Sequence, residues 1–177
     1  ALGHEPVFGK PKAVPRIRSA FYEQLHTKHR LPLIILDEAH LFPPTVFEPL
    51  RLLFSTEMDS QSLGILLLVG QPELRRILRL ALYEAFYQRI STHYHLPPLD
   101  LAQTIAYVRH HVQLADYKAG TLFTDDALAR IYENTKGVPR LVNRLCTTAL
   151  LVAAAEKRQV IEESTIRKAI AELDQNG

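Results

Sequence analysis

The chain has 177 residues, of which 47% are hydrophobic, so it can form one ordinary domain, or a medium domain and a small one. Its formal net charge of +2 is too small to indicate nucleic-acid binding without a local cluster of basic residues. The single cysteine, Cys146, excludes an intrachain disulfide and a cysteine-based zinc site. It is typical of a reducing compartment, so we expect a cytoplasmic location.

The helices predicted in the first half of the chain follow an irregular lead-in. Residues 1–15 hold several glycines and prolines and lack periodicity. Apolar residues recur at helical spacing over residues 16–30, and again after Pro44, a residue type that often opens a helix. A further apolar stripe predicts one helix over residues 72–87. No apolar run approaches the ~20 residues needed to cross a bilayer, so we expect no membrane segment.

Strands are predicted in the same half of the chain. Residues 31–36 and 63–69 are apolar runs, which are typical of strands covered on both faces of a parallel sheet. Residues 90–96 alternate between apolar and polar types, as in a strand covered on one face. Together with the helices between them, these runs predict an α/β domain over residues 1–96.

Pro97-Pro98 marks a boundary, after which every predicted element is helical. Helices are expected from the N-cap Asp100 to about Leu114, after Thr124-Asp125-Asp126, from Arg140 to about Lys157, and from Glu162 to Leu173 with Glu163 or Ser164 as the cap. The sequence therefore predicts a second, small all-α domain over residues 97–177.

An acidic pair, Asp37-Glu38, directly follows the first predicted strand. The carboxyl end of a buried strand is held still, and in parallel α/β sheets it opens onto the ligand crevice. An aspartate there can hold Mg²⁺, usually through water, and a neighbouring glutamate can orient or deprotonate an attacking water. The pair could also simply cap the following turn, but the aliphatic run before it favours the chemical interpretation.

Residues Leu33–His40, Leu-Ile-Ile-Leu-Asp-Glu-Ala-His, resemble a Walker B box. Further segments resemble, in chain order, a sensor 1 turn (Leu67–Leu74), the stretch into a last core strand (Tyr87–Ile90), a lid linker (His95–Asp100), a lid motif (Leu122–Leu128) and a sensor 2 helix (Gly137–Cys146). On these motifs the chain resembles the ExeA-like AAA+ ATPases, which include secretion-pathway ATPases and transposon accessory ATPases related to TniB and TnsC. The stretch Phe54–Ser60 is closer to the transposon-associated members.

The resemblance implies a fold and a set of site residues. The fold would be α/β, a partial AAA+ P-loop NTPase core with a parallel sheet and helices, followed by a small all-α lid subdomain. Asp37 would be the Mg²⁺ ligand and Glu38 the catalytic base for ATP hydrolysis. Gln71 would sense the γ-phosphate or position water, or merely close its turn. Arg140 would be the sensor 2 arginine, unless it is an ordinary surface arginine, and Arg89 would be an arginine finger.

Partners follow from the same resemblance. We expect self-association into a ring or dimer, together with either a transposase and DNA or a protein of a secretion complex. Arg75, Arg76 and Arg79 are expected to form a solvated basic face, with contact to DNA phosphates as the alternative.

The chain lacks the P-loop motif Gly-x-x-x-x-Gly-Lys-Ser/Thr, and its Gly9-Lys10 pair is followed by proline. We therefore expect it to be the C-terminal part of a longer ATPase, inactive alone. Its apolar strand edges would be covered by dimerisation, by swapping or by rearrangement. Two alternatives stay open. A non-catalytic interaction module with the same fold is favoured by the absent P-loop. A helicase with an Asp-Glu-Ala-His box is disfavoured because no second helicase domain follows.

Overall fold

The computed structural model describes residues 10–54 and 63–175, with side chains from residue 14 onward. Residues 1–9 of the lead-in expected over residues 1–15 lie outside the described residues, as does the transposon-like stretch apart from Phe54. The chain divides into two compact units, one ending at His95 and the other beginning at Leu96.

The first unit contains a two-stranded parallel sheet and short helices. Strand β1 spans Leu33–Leu36 and strand β2 spans Ile65–Leu68, with Leu33 opposite Ile65. The helices are α1 (Lys10–Tyr22), continued by a π-helical turn (Glu23–Thr27), α2 (Pro44–Phe54), α3 (Glu73–Leu78) and α4 (Glu84–Tyr87), with 3-10 turns at Ala39–Leu41 and Ala81–Tyr83. The predicted parallel sheet and the helix beginning at Pro44 are therefore confirmed.

The sheet is covered on one face, so the prediction of two covered faces is wrong. Leu33, Ile35, Ile65 and Leu67 are 46–57% exposed, whereas the alternate residues of both strands are partly buried. Successive side chains of a strand point to opposite faces. In the described part of the chain, helices pack against only one of those faces, which leaves an exposed apolar sheet face made by these four residues.

The strand predicted over residues 90–96 is absent. Residues 91–100 form no regular element, and residues 91–98 are all exposed. A strand needs a neighbouring strand to pair its backbone N–H and C=O groups, and the described sheet holds only β1 and β2. The alternation of residue types over residues 90–96 does not supply such a neighbour.

Two helix predictions also need correction. Helix α1 begins at Lys10 and contains Pro15, so residues 10–15 are not irregular. The helix predicted over residues 72–87 is divided into α3, a 3-10 turn and α4, because Leu80 adopts an extended backbone conformation with φ −67° and ψ 145°. Leu82, predicted to be part of the apolar stripe, is 72% exposed as a result.

The division of that helix does not prevent α2, α3 and α4 from sharing a core. Phe47 in α2 is 1% exposed and packs edge-on against Tyr83 and Phe86, with ring centroids 5.0 and 5.4 Å away. The same cluster takes apolar side chains from α3, from the turn after β1 and from β2: Leu74, Leu78, Ala39, Leu66 and Leu68. This core supports the residues that follow both strands.

Within residues 96–175 the second unit consists of four helices, α5 (Leu101–Leu114), α6 (Asp125–Thr135), α7 (Pro139–Ala155) and α8 (Glu163–Gln175). The boundaries predicted from the sequence agree with these helices to within about two residues, which is the ordinary uncertainty of helix ends. The predicted cap of the last helix is wrong, because Glu163 and Ser164 lie inside its first turn. No helix in the described part of the chain is long and apolar enough to cross a membrane.

Local hydrogen bonds define the helix starts of the second unit. The Asp100 side chain accepts from the Gln103 N–H at 2.8 Å, and the Gln103 side chain accepts from the Asp100 N–H at 3.0 Å, which forms a capping box. Thr124 caps α6 by accepting from the Ala127 N–H at 3.3 Å. An isolated bridge between Phe123 and Ile161 joins the loops before α6 and α8.

The turn between α6 and α7 is built on a glycine in the left-handed region. Gly137 has φ 72° and follows Lys136, which is also left-handed. The Gly137 carbonyl accepts a hydrogen bond from the Leu99 N–H at 3.0 Å. This turn therefore ties the start of α7 to the residue that precedes the α5 capping box.

Cys146 in α7 packs against the core of the second unit. Burial raises the pKa of its thiol from 9.0 to about 12. Because only the thiolate reacts with alkylating agents, iodoacetamide at about pH 8 should modify the folded chain about a thousandfold more slowly than the denatured chain. Mass spectrometry of timed samples measures both rates, and similar rates would contradict the burial of this thiol.

The same pKa shift makes stability depend on pH in the alkaline range. Between the ordinary pKa and the raised one, the folded thiol keeps a proton that the unfolded thiol has lost. The contribution of Cys146 to the free energy of unfolding is therefore fully present below about pH 9 and falls as the pH rises through that window. Urea titrations at increasing pH should show this loss in the native sequence and less of it in Cys146→Ala.

Candidate functional site

Strands β1 and β2 end side by side at one edge of the sheet. The Val69 N–H donates to the Leu36 carbonyl at 2.9 Å, and the Ala39 N–H donates to the Val69 carbonyl at 2.9 Å. These bonds continue the pairing beyond β1 and hold the acidic pair, Asp37 and Glu38, beside the turn that follows β2. The residues after the two strands therefore meet at the same place, which we call the strand-end site.

The acidic pair has an unusual backbone. Asp37 Oδ1 accepts a hydrogen bond from the Glu38 N–H at 2.8 Å, and both side chains are exposed. Glu38 adopts the left-handed conformation, with φ 51° and ψ 34°. That conformation costs a residue with a Cβ about 1 kcal/mol, and it persists only where the surroundings hold it. Such strain is common at functional sites, although it does not by itself define one.

His40 lies between the two strand ends. Its side chain is only 8% exposed, and its Nε2 is 3.5 Å from Glu38 Oε2. Its Nδ1 accepts a hydrogen bond from the Gln71 N–H at 3.4 Å. No pattern in the sequence assigns His40 a role or predicts this contact. The contact joins residues 31 positions apart, so it depends on the pairing of β1 with β2.

Residues 1–78 match the family model of an AAA domain. Over 141 residues, which is 80% of this chain, the sequence is 38% identical to General secretion pathway protein A of Aeromonas hydrophila. The chain belongs to the ExeA-like AAA family. It spans only 26% of the length of that curated relative.

The fold of this AAA chain resembles the folds of several solved structures. The ORC2 protein of Aeropyrum pernix, solved in ADPNP–ADP complexes, has a TM-score of 0.66 and 20% identity, covering 96% of this chain and 46% of that one. A RuvB point mutant of Thermotoga maritima has a TM-score of 0.58 and 17% identity, covering 89% of this chain and 50% of that one. At such identities the likeness shows the fold alone, and it confirms the predicted AAA+ fold.

The predicted site residues of this AAA family member belong to different elements of the two units. Asp37, Glu38 and Gln71 meet at the strand-end site. Arg89 is exposed in the turn after α4, and Arg140 is an exposed residue in the first turn of α7, in the second unit. Their roles stay predictions, and those of the two arginines rest on the resemblance.

The donor set at the strand-end site fits Mg²⁺ but does not by itself fit ATP. Among residues 10–54 and 63–175, no group of three or more His, Cys, Asp or Glu side chains could hold a metal. Mg²⁺ usually binds through one or two carboxylates and substrate phosphates while keeping several waters, so the exposed Asp37 is a suitable ligand. The phosphates of ATP need a cradle of backbone N–H groups, and no motif in this sequence supplies one.

The basic residues of α3 and of its C-cap, Arg79, are exposed, in agreement with the solvated face predicted for them. Arg75, Arg76 and Arg79 all face solvent, and Arg76 pairs with Glu73 at 2.7 Å. Exposed pairs of this kind contribute little to stability. Contact between this face and DNA stays a prediction.

Proposed function

We propose that this chain forms the Walker B, sensor and lid portion of an AAA+ ATPase that binds ATP with Mg²⁺ and hydrolyses it. The observation that carries the proposal is the strand-end site, where Asp37 and Glu38 lie beside the turn that bears Gln71. Membership of the AAA family supports the same reaction.

Each residue of the strand-end site has a role that its position supports. Asp37 would hold Mg²⁺, which supplies positive charge to the phosphate oxygens when it is bound. Glu38, with a side chain 59% exposed, would take a proton from the water that attacks the γ-phosphate. Gln71 would orient that water or contact the phosphate. Arg140 and Arg89 would contact phosphates as the sensor 2 residue and the arginine finger.

The phosphate-binding loop would come from sequence outside these 177 residues. The chain spans 26% of its curated relative and contains no P-loop motif. A purified chain should therefore show no ATP turnover, whereas the gene product that also carries a P-loop should be active. Phosphate release under the same conditions measures the ATP turnover of both proteins.

Glu38→Gln tests the proposal directly in the full gene product. Loss of a general base typically costs about 10²–10⁴-fold in rate, so kcat should fall by that factor. ATP binding should be retained, because the phosphate contacts lie elsewhere. Phosphate release measures turnover, and fluorescence of a labelled nucleotide measures binding.

Glu48→Gln is the matched control, since Glu48 is an exposed glutamate on α2 that pairs with Arg51. Its turnover should equal that of the native sequence. Turnover unaffected by Glu38→Gln would contradict the proposed base. So would turnover by the isolated chain that Glu38→Gln abolishes, because the P-loop would then not be needed.

A non-catalytic interaction module is the second candidate function, and the absent P-loop favours it. It would keep the AAA+ fold without binding nucleotide. A gene product with no P-loop and no measurable ATP binding would establish this function and exclude the first.

We place the ATPase in secretion rather than transposition, because the 38% identical relative is a general secretion pathway protein. Its partner would then be a protein of the secretion complex, and its location cytoplasmic, consistent with a single cysteine in the sequence. A transposase gene beside this one, together with DNA binding in a filter assay, would instead support the role in transposition.

Self-association is proposed from the exposed apolar sheet face of Leu33, Ile35, Ile65 and Leu67. Contiguous apolar surface of this kind commonly marks an interface. Size-exclusion chromatography with light scattering should show a mass above that of one chain at micromolar concentration, and Ile35→Lys should reduce it. A stable monomer across the concentration range would contradict this interface.

A further inference from the structure

The burial of His40 has no explanation in the proposed roles of its neighbours. Its side chain is 8% exposed, although it lies two residues from a Glu38 side chain that is 59% exposed. Buried histidine rings usually have a partner at each nitrogen. Here the partners are the Glu38 carboxylate at Nε2 and the Gln71 backbone N–H at Nδ1.

The two contacts define which nitrogen of His40 carries a proton. A backbone N–H can only donate, so Nδ1 must be the unprotonated acceptor toward Gln71. The proton of a neutral ring then sits on Nε2, which faces Glu38 Oε2 at 3.5 Å. This tautomer directs an N–H dipole at one oxygen of the carboxylate. Contacts of this length in a site without substrate commonly shorten when the substrate is bound.

Gly70 lies close to the His40 ring on the side of β2. A Cβ on Gly70 would lie 3.2 Å from His40 Nδ1, 3.2 Å from Leu74 Cδ2 and 3.4 Å from the His40 backbone nitrogen. Such distances are tight, so any larger residue would push the ring or the turn. The His40 ring is therefore enclosed between the turn after β1 and the turn after β2.

We propose that His40 is a positioning residue for Glu38, an inference that rests on the proposed role of Glu38 as the base. The Nε2–H of His40 holds Glu38 Oε2, so that the other carboxylate oxygen is aimed at the attacking water. The Gln71 N–H selects the tautomer that makes this contact. The turn after β2 thereby acts on the base through the His40 ring, over a separation of 31 residues.

Substituting His40 by asparagine or by glutamine tests its two contacts separately. The amide oxygen of asparagine can take the place of Nδ1, so His40→Asn keeps the acceptor for Gln71 and loses the donor to Glu38. The longer glutamine side chain can place its NH₂ near Nε2, so His40→Gln keeps that donor. Loss of a positioning group typically costs about 10–100-fold, so His40→Asn should lower kcat of the full gene product at least about tenfold. His40→Gln should restore most of that loss, and KM for ATP should stay unchanged in both.

Gly70→Ala tests the same contact from the opposite side. It should lower kcat by displacing the ring, and the double variant with His40→Asn should be no slower than His40→Asn alone. Residues that act through one contact are non-additive in this way. Equal losses in His40→Asn and His40→Gln that follow their unfolding midpoints would overturn the inference, because they would show a purely structural role.

Glu38→Gln, measured beside these variants, separates the two proposals. Turnover that His40→Asn leaves intact while Glu38→Gln abolishes it would overturn the role of His40 and leave the ATPase standing. Turnover that does not depend on Glu38 would overturn both. ¹⁵N NMR of the His40 ring adds a readout without turnover: the Nε2–H tautomer is expected, and the Nδ1–H tautomer would contradict the arrangement.

Discussion

Gly137→Ala is expected to destabilise the helical second unit by about 3 kcal/mol or more, since it combines backbone strain with a steric clash. A Cβ at this position would lie 1.8 Å from the Leu99 carbonyl oxygen and 2.7 Å from the Leu99 carbonyl carbon. The glycine also has φ 72°, which residues with a Cβ rarely adopt. Leu99 cannot withdraw freely, because its N–H donates to the Gly137 carbonyl at 3.0 Å.

Urea unfolding followed by circular dichroism measures this loss, and Gly120→Ala provides the matched control. Gly120 has φ 94°, but a Cβ there would meet nothing within 4 Å. It should therefore show the cost of strain alone, about 1–2 kcal/mol. Equal losses in the two variants would show that the approach of Leu99 is not a constraint.

Phe47→Ala is expected to cost the first unit about 3–5 kcal/mol, the usual range for removing a fully buried aromatic ring. Phe47 is 1% exposed and makes edge-on contacts with Tyr83 and Phe86. Its removal leaves a cavity between α2 and α4 and takes away two aromatic pairs. A loss of this size is a large fraction of the stability of an ordinary domain.

Tyr94→Ala is the control for Phe47→Ala, since Tyr94 is an aromatic residue that is 84% exposed. Its effect should stay within about 0.5 kcal/mol, as is usual for exposed positions. Amide hydrogen exchange of α2 and α4 reports on this core in particular. Unchanged exchange in Phe47→Ala would show that the aromatic cluster contributes little to the unit.

The helices of the second unit could be predicted because their signals are local. The Asp100 capping box and the Thr124 cap each lie within three residues of the N–H groups that they bind. The turn at Gly137 is likewise marked by its own residue type. Helix spacing, caps and breakers are all contained in a short window of sequence, so no knowledge of distant contacts was needed.

The sheet was predicted less well because strands depend on distant neighbours. The apolar runs of β1 and β2 were recognised, and their parallel pairing is confirmed. Which faces are covered depends on helices elsewhere in the chain, and the pattern in Ile90–Leu96 contained no information about a pairing partner. The helix predicted over residues 72–87 is interrupted at Leu80, and Tyr83 and Phe86 beyond the interruption pack against Phe47 in α2. Helical spacing alone does not specify such a distant contact.

The acidic pair of the candidate site could be found from sequence, and its supporting residue could not. Asp37 and Glu38 are adjacent to a strand, which is a local pattern. The contact of His40 with the Gln71 N–H joins residues far apart in the chain, and only the pairing of β1 with β2 brings them together. The close approach of Gly70 to the ring depends on the same pairing.

Stability and the proposed reaction make conflicting demands on residue 38. The left-handed backbone conformation of Glu38 lowers stability, whereas the proposed reaction needs its carboxylate. Glycine and asparagine adopt that conformation at lower cost than glutamate, so either would stabilise the turn by up to about 1 kcal/mol. A laboratory selection for heat resistance alone should therefore enrich variants that have lost the carboxylate. A selection that also demands ATP turnover should keep glutamate there and find its stabilising substitutions elsewhere in the chain.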